Sequence, residues 1–388
     1  SAAAAMHLVS ELNLTQKDAV LAEADEVLGF VSSQGVTAVY DAGVAPGSED
    51  SLFSAIAELE RGDGLPVRIV ASVGAQRPVH IEGALAGLAK YGPMYSSELF
   101  RVTTLKVWGD GDLGGLTAGL LEPFTAFPDT RGLVAFPDQE QLDRFVLDAV
   151  ELGYDVHLHA VGDWANRVAL DAFEAVREAG FEDARLSTGH NVLIDAQDRP
   201  RYKELDVTLN TFATDIAVPD EGWTWGLGEE RAAAKMPMGS FARNGVRVTL
   251  SADWPTEDLN PFLQMYTAMT RSRLGEDDSA PEAAERLTLE EAVRAYTTDA
   301  AYQIRMEDII GSIEVGKRAD LIIIDRDIFD IPTDDIPGTN VLVTMMNGKI
   351  VHDEAVDPSS ENPFEGFEDF DVCGDLTFDD GDLQPAND

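Results

Sequence analysis

Six histidines stand in a chain of 388 residues, and two of them, His159 and His190, lie 31 residues apart, about one strand–helix unit. The strand-like runs that end at these two have counterparts ending at Lys106 and, 63 residues after His190, at Asp253. Two imidazole nitrogens and a carboxylate oxygen suit a borderline divalent cation such as zinc. An Asp beside such a metal can also take a proton from bound water, whose pKa the cation lowers towards neutrality. Each residue has a plainer reading. A single strand-end His is ordinarily a hydrogen-bonded surface or core residue, Lys106 alone a buried salt-bridge donor, and Asp253 alone a helix cap or the partner of Arg247. Only their joint placement favours a metal site. His157 stands one layer deeper and reads as a supporting residue, while His7, His80 and His352 read as structural.

Bringing these four residues together requires a parallel sheet whose strands all end on one side. Short β-branched runs alternate with helical stretches, the pattern of such a sheet wound with helices. The strands read as Val36–Gly43, Val67–Gly74, Val102–Val107, Asp155–Val161, Ala184–His190, Val207–Phe212 and Val246–Asp253. Amphipathic segments at Gln139–Leu152, Trp164–Ala179 and Ala196–Leu205 lie between them. Asp163 and Asp195 stand as start signals, and Gly153 and Gly180 as stops. Alternate residues of a barrel strand face inward, and chemistry sits where strands end. That rule sends Asp155, His157 and His159 inward on one strand, Val102, Thr104 and Lys106 on another, and Arg247, Thr249, Ser251 and Asp253 on the last.

Seven strands are one fewer than a (β/α)8 TIM-type barrel needs. The first 35 residues are helical in pattern and run straight into the Val36 strand, so the absent strand is expected to be the first. Helices are expected at Pro261–Arg273 and Leu289–Gln303. Apolar strands at Ala319–Asp325 and Asn340–Met346, the Asn347-Gly348 turn and Lys349–His352 then form a small β element outside the barrel. The expected division is a barrel over 1–305, part of a β-sandwich over 306–356, and an acidic, aperiodic tail over 357–388.

Composition narrows the class of partner. With 71 acidic against 28 basic residues the net charge is -43, so the basic patches that nucleic acid requires are missing. Acids spread along the whole chain read as a hydrated surface adapted to high salt, hence a halophilic source. No apolar run approaches the roughly 18 residues that cross a membrane. One cysteine, Cys373, precludes an intrachain disulfide and a cysteine-rich zinc site, and a cytoplasmic setting is the default.

Four segments carry a resemblance: Thr104-Leu-Lys-Val-Trp-Gly-Asp-Gly111, His159-Ala-Val-Gly-Asp-Trp-Ala165, Gly189-His-Asn191 and Ser251-Ala-Asp-Trp-Pro255. With Gly311–Leu321 and Val343–Val351, the sequence resembles the amidohydrolase superfamily, in its family 3 branch, over roughly residues 20 to 355. The resemblance implies a (β/α)8 barrel with one or two divalent metals. His159 and His190 would be ligands, and Asp253 would bind metal and shuttle protons. Lys106 falls where many members carry a carboxylated lysine that bridges two metals. The implied reaction is hydrolysis of a non-peptide C–N bond, in an amide or cyclic amide of a small molecule. A deaminase or ester hydrolase on the same site is an alternative, since fold does not fix the reaction. Trp108, Trp223, Trp225 and Trp254 are expected in or near loops that could line the pocket.

Two departures from the pattern stand out. Relatives in this branch carry a Glu just before the sixth-strand His, where this chain has Gly189 preceded by Thr188. The superfamily's first strand carries a His-x-His pair, and no such pair precedes Val36. His157-Leu-His159 has the spacing but occupies the fifth-strand position. Truncation, processing or an incomplete gene would account for this, with a removed segment or a second chain completing the barrel, and a homo-oligomer is expected. A barrel homologue without metals, serving as a regulatory or binding protein, is the reading that these missing histidines favour.

Overall fold

The β-branched runs form seven parallel strands that neighbour one another in chain order: β1 (Ala38–Asp41), β2 (Arg68–Ala75), β3 (Phe100–Trp108), β4 (Asp155–Ala160), β5 (Leu186–His190), β6 (Val207–Thr211) and β7 (Val248–Leu250). This computed structural model describes residues 16–44, 46–62, 64–217, 220–275 and 283–356. The sheet curls into a half-barrel with helices on its outer side, and among the described residues β1 and β7 are its edges. Every strand has an aligned register with the next; Lys106 lies beside His157, Trp108 beside His159, and Ala160 beside His190. Those pairings bring the expected strand-end residues to one end of the sheet.

The alternation holds on β4 but not along all of β3, where the register slips at Thr103 (Val102 pairs with Ala71 and Thr104 with Ser72), so Val102, expected inward, joins the helix-facing core. Val156 and Leu158 are buried with the outer helices, in a core that also takes Val102, Leu105, Val107, Leu142, Phe145, Leu170 and Phe173. The helices that supply this core are α1 (Lys17–Ser33), α2 (Glu49–Arg61), α3 (Ile81–Met94), α4 (Gln139–Glu151) and α5 (Asp163–Glu178). Gly153 and Gly180 follow the last turns of α4 and α5 with φ of 91° and 88°, a conformation that glycine adopts without a Cβ clash.

Several boundaries differ from expectation. Asp163 is the first residue of α5 and not its cap; its Oδ1 accepts from Leu121 N at 2.9 Å and so ties the helix to the preceding loop. The helix expected at Ala196–Leu205 is the shorter α6 (Arg199–Glu204), with Asp198 at its cap, because Pro200 suits only a first turn. Asp195 instead closes a turn, accepting from Gln197 N at 2.9 Å. Then come α7 (Asp220–Leu227), α8 (Glu229–Ala233), α9 (Met238–Arg243) and α10 (Pro261–Thr270). Trp223 and Trp225 are therefore helical residues. The stretch Leu289–Gln303 is two helices, α11 (Leu289–Tyr296) and α12 (Thr298–Gln303), broken at Thr297 with φ -123° and ψ -93°. His7 and the acidic tail lie outside the described residues.

A second, antiparallel sheet holds β8 (Leu321–Ile324), β9 (Val341–Met346) and β10 (Lys349–Asp353) in the order β10-β9-β8. Asn347 and Gly348 both have positive φ, 52° and 77°, as a two-residue hairpin turn requires. His352 is a buried strand residue. The sheet rests on α1, with Thr344 Oγ1 donating to Ser32 O at 2.7 Å. It is pinned to the half-barrel by Arg68, whose fully buried guanidinium meets Asp320 at 2.8 Å and Glu98 at 2.9 Å.

Candidate metal centre

Three imidazoles and an amine converge at the ends of β3, β4 and β5. Lys106, His157 and His159 are 3%, 2% and 6% exposed, so their polar atoms are almost wholly withdrawn from water. His190 terminates β5 and is only partly buried. The rings of His159 and His190 lie 4.1 Å apart between centroids and are tilted by 59°. Phe212 packs edge-on against His190 at 5.2 Å, and the Lys106 ammonium lies 5.4 Å from the Trp108 ring.

Burial disfavours protonation of all three rings. It pushes His190 down to about 3, with Lys106 adding to the effect. His157 and His159 are held well below the usual imidazole range, first by burial and then by neighbouring Lys106 and His190. Neutral imidazoles have the lone pairs that a metal takes. At the end of β1, burial raises the Asp41 carboxyl while nearby Lys106 opposes the shift. Asp41 was not singled out from sequence, since a lone strand-end Asp carries no motif.

The supporting contacts fix ring orientation. His157 Nδ1 hydrogen-bonds with Ser187 Oγ at 2.9 Å, a hydroxyl that also lies 3.3 Å from Val156 O, and Nε2 is the other nitrogen of that ring. A Cβ at position 189 would stand 2.8 Å from that Nε2, so the His157 ring occupies the room that a side chain before His190 would need. The Gly189 departure thus has a steric partner. His159 Nε2 lies 3.1 Å from Gly111 O. Behind the rings, Tyr202 Oη donates to Asn166 Oδ1 at 2.6 Å, and Asn166 Nδ2 reaches the carbonyls of Ala160, Gly162 and Leu193. Asn191 reaches Thr188 O and Asn210 O, tying the ends of β5 and β6 together.

Asp253 is placed differently from the simple alternation. Strand β7 stops at Leu250, and Asp253 stands in a turn with φ 49°. Its charge acts on His159, raising that ring's affinity for a proton. Arg247 is at the other end of β7, 3.4 Å from Asp206, so it is not the partner of Asp253. Trp254 packs on Phe30 at 5.7 Å between rings, Trp223 is buried, and Trp225 is 58% exposed. His80 accepts from Gln76 N at 3.2 Å, a local structural bond.

In kind, these donors fit a divalent cation: two neutral imidazoles side by side, a lysine in range and a carboxylate acting on them. In number they fall short. Among the described residues no three His, Cys, Asp or Glu side chains group closely enough to hold a metal ion. A third ligand from this set would come from Lys106 in a carboxylated state or from Asp253.

A curled parallel sheet with helices outside and a polar cluster at its strand ends defines a TIM-type α/β protein. The chain belongs to the amidohydrolase family, whose profile matches residues 1–352. It is 28% identical over 361 residues to Protein LONG AFTER FAR-RED 3 of Arabidopsis thaliana, covering 89% of this chain and 60% of that protein. It is 31% identical over 220 residues to an N-substituted formamide deformylase of Arthrobacter pascens, covering 55% of this chain and 39% of that enzyme. An uncharacterized metal-dependent hydrolase from Pyrococcus furiosus has a similar structure, with a TM-score of 0.66 and 28% identity over 80% of this chain and 61% of its own. The chain thus spans roughly four to six tenths of the length of these proteins. No described helix is long and apolar enough to cross a membrane.

Proposed function

We propose that this chain contributes the metal-binding end of a hydrolase that cleaves non-peptide C–N bonds, in amides or cyclic amides of small molecules. The observation that carries the reading is the pair of neutral, adjacent imidazoles of His159 and His190 at neighbouring strand ends. His159 and His190 would hold a divalent metal, zinc by the chemistry of the donors, with Lys106 as its carbamate adding a ligand and deciding between one ion and two. The metal would supply Lewis acidity to the scissile carbonyl and activate water at neutral pH. Asp253 would accept a proton on a carboxylate oxygen and return it to the departing nitrogen. Phe212 and Trp108 beside these residues would exclude water and orient the apolar part of the substrate. Edges β1 and β7 are seats for an eighth strand, from a further segment or a second chain, and residues 1–305 and 306–356 would be its two structural units. The single cysteine and the charge of -43 favour a reducing, salt-rich cytoplasm.

The chain loaded with zinc and desalted should retain near-stoichiometric metal by elemental analysis, and His159→Gln should lose it. Hydrolysis of N-substituted formamides and cyclic amides should follow the metal. Stoichiometric metal unaffected by His159→Gln would overturn the assignment. The absence of a three-ligand group among the described residues favours a second reading, a metal-free binding homologue. A well-folded wild-type chain that retains no metal would support that one instead.

A further inference from the structure

Asp110 lies outside the proposed ligand set, and its carboxylate is wholly buried. Its Oδ1 accepts from Val161 N at 2.9 Å, and its Oδ2 accepts from Gly162 N at 2.9 Å and Gly119 N at 2.8 Å. These three amides come from two different segments, the loop after β3 and the turn that follows β4. Satisfying both oxygens with backbone donors makes this a built anchor. The next residue, Gly111, turns its carbonyl to His159 Nε2 at 3.1 Å, whereas Asp110 Oδ1 itself is 3.5 Å from that nitrogen. The approach is tight: Gly109 N donates to His159 O at 3.0 Å, and a Cβ at 109 would stand 2.5 Å from the same oxygen.

A carbonyl can only accept, so the ring nitrogen facing Gly111 must carry the proton. The lone pair of neutral His159 is then on Nδ1. Metal-ligating histidines commonly donate their other N–H to a carbonyl or carboxylate, which fixes both tautomer and orientation. We infer that Asp110 is a positioning residue: by gathering three amides around the end of β4 it fixes the Gly111 carbonyl against His159 Nε2 and commits that ring to presenting Nδ1 to the metal. This rests on the proposed metal centre for its purpose, but the tautomer it dictates exists without metal.

The test uses the whole chain labelled with ¹⁵N-histidine and freed of metal, with His159 assigned by the resonance missing from His159→Gln. Long-range proton–nitrogen correlation should find the His159 proton on Nε2, and the amides of Gly119, Val161 and Gly162 should be protected from exchange. Asp110→Asn keeps the shape but can accept from at most two of the three amides. In that variant the His159 tautomer should become mixed and zinc affinity should fall about 10- to 100-fold. A His159 proton on Nδ1 in the wild type, or rapid exchange of the three amides, would overturn the inference even if the variant does not fold. A folded Asp110→Asn with unchanged tautomer and zinc affinity would overturn it as well. Failure of the wild type to bind zinc refutes the metal centre alone, and the tautomer then decides the role of Asp110.

Discussion

Arg68 offers the sharpest test of how the half-barrel and the small sheet are held together. Its guanidinium has no exposure and meets Asp320 through two parallel bonds, Nε to Oδ2 at 2.8 Å and Nη2 to Oδ1 at 3.0 Å. Its Nη1 reaches Glu98 at 2.9 Å. The two carboxylates would fare differently without it. Glu98 keeps both of its bonds from Arg318, each at 2.8 Å, and is 32% exposed. Asp320 is 2% exposed and, among the described residues, keeps the hydrogen bond from the amide of Asn347 at 2.7 Å. Arg68→Met therefore strands one buried charge. Removing one partner of a buried pair costs about 3–5 kcal/mol, chiefly through that stranded charge. The loss should appear in urea denaturation in concentrated salt, and in thermal melts as a fall in Tm of about 4–6 °C. Arg68→Met/Asp320→Asn removes the charge while keeping an acceptor for Asn347, and should recover more than half of the loss. Glu98→Gln should cost about 1 kcal/mol or less. An Arg68→Met chain within about 1 kcal/mol of wild type, or a double variant no better than the single, would refute the reasoning.

Two further predictions concern the site. His190 is held at about 3 in the folded chain against 6.5 when exposed, so below pH 6.5 the unfolded state takes up a proton that the folded state refuses. Its contribution is complete above pH 6.5 and is lost as pH falls from there towards 3. Between pH 7 and 5 the metal-free wild type should lose about 2 kcal/mol more than His190→Gln, measured by denaturation at each pH; equal losses would contradict the neutral ring. Gly189→Ala places a Cβ 2.8 Å from His157 Nε2 and should destabilise by about 1–3 kcal/mol, with His157→Ala/Gly189→Ala relieving the clash. Thermal melts of the three chains decide it, and a harmless Gly189→Ala would remove the steric link between the two positions.

Much of this architecture was legible because a parallel sheet writes itself plainly. Seven β-branched runs became seven strands, and the period of two put His157 and His159 on the inner face, with Val156 and Leu158 in the helix-facing core. His159 and His190 come together because one strand–helix unit advances the chain by one strand, which the register of β4 and β5 expresses directly. Local signals failed where longer-range contacts decide. The anchor at Asp110 depends on amides 9, 51 and 52 residues away, and no spacing rule announces it. Strand alternation could not place Asp253, since the strand stops at Leu250 and the turn beyond sets the direction. Asp195 looked like a cap because its residue type suits one, but Pro200 fixed the first turn of α6 further along.

The backbone at the strand ends bears on whether this end of the sheet does more than close a fold. His190, Asn191 and Asp253 all have positive φ, at 71°, 58° and 49°. Non-glycine residues held there cost of order 1–3 kcal/mol each, although Asn, Asp and His tolerate the region better than most. Positive φ occurs elsewhere in the chain too, at Leu116 and Arg305 for example, so strain alone does not mark a site. What distinguishes these positions is the polar framework built around them. The Asn191 amide donates to Thr188 O on its own strand and to Asn210 O on β6, its carbonyl accepts from Thr188 Oγ1 and Tyr202 Oη, and Tyr202 joins it to Asn166, which holds the turn after His159. Such a buried network stabilises only when every member is satisfied, and an apolar packing would close the sheet with less risk. Its geometric consequence is to hold the ends of β4, β5 and β6 at fixed separation, and with them two imidazoles that burial keeps neutral. That is the arrangement a ligand-binding end requires, and it favours the metal centre over a barrel kept only as a scaffold.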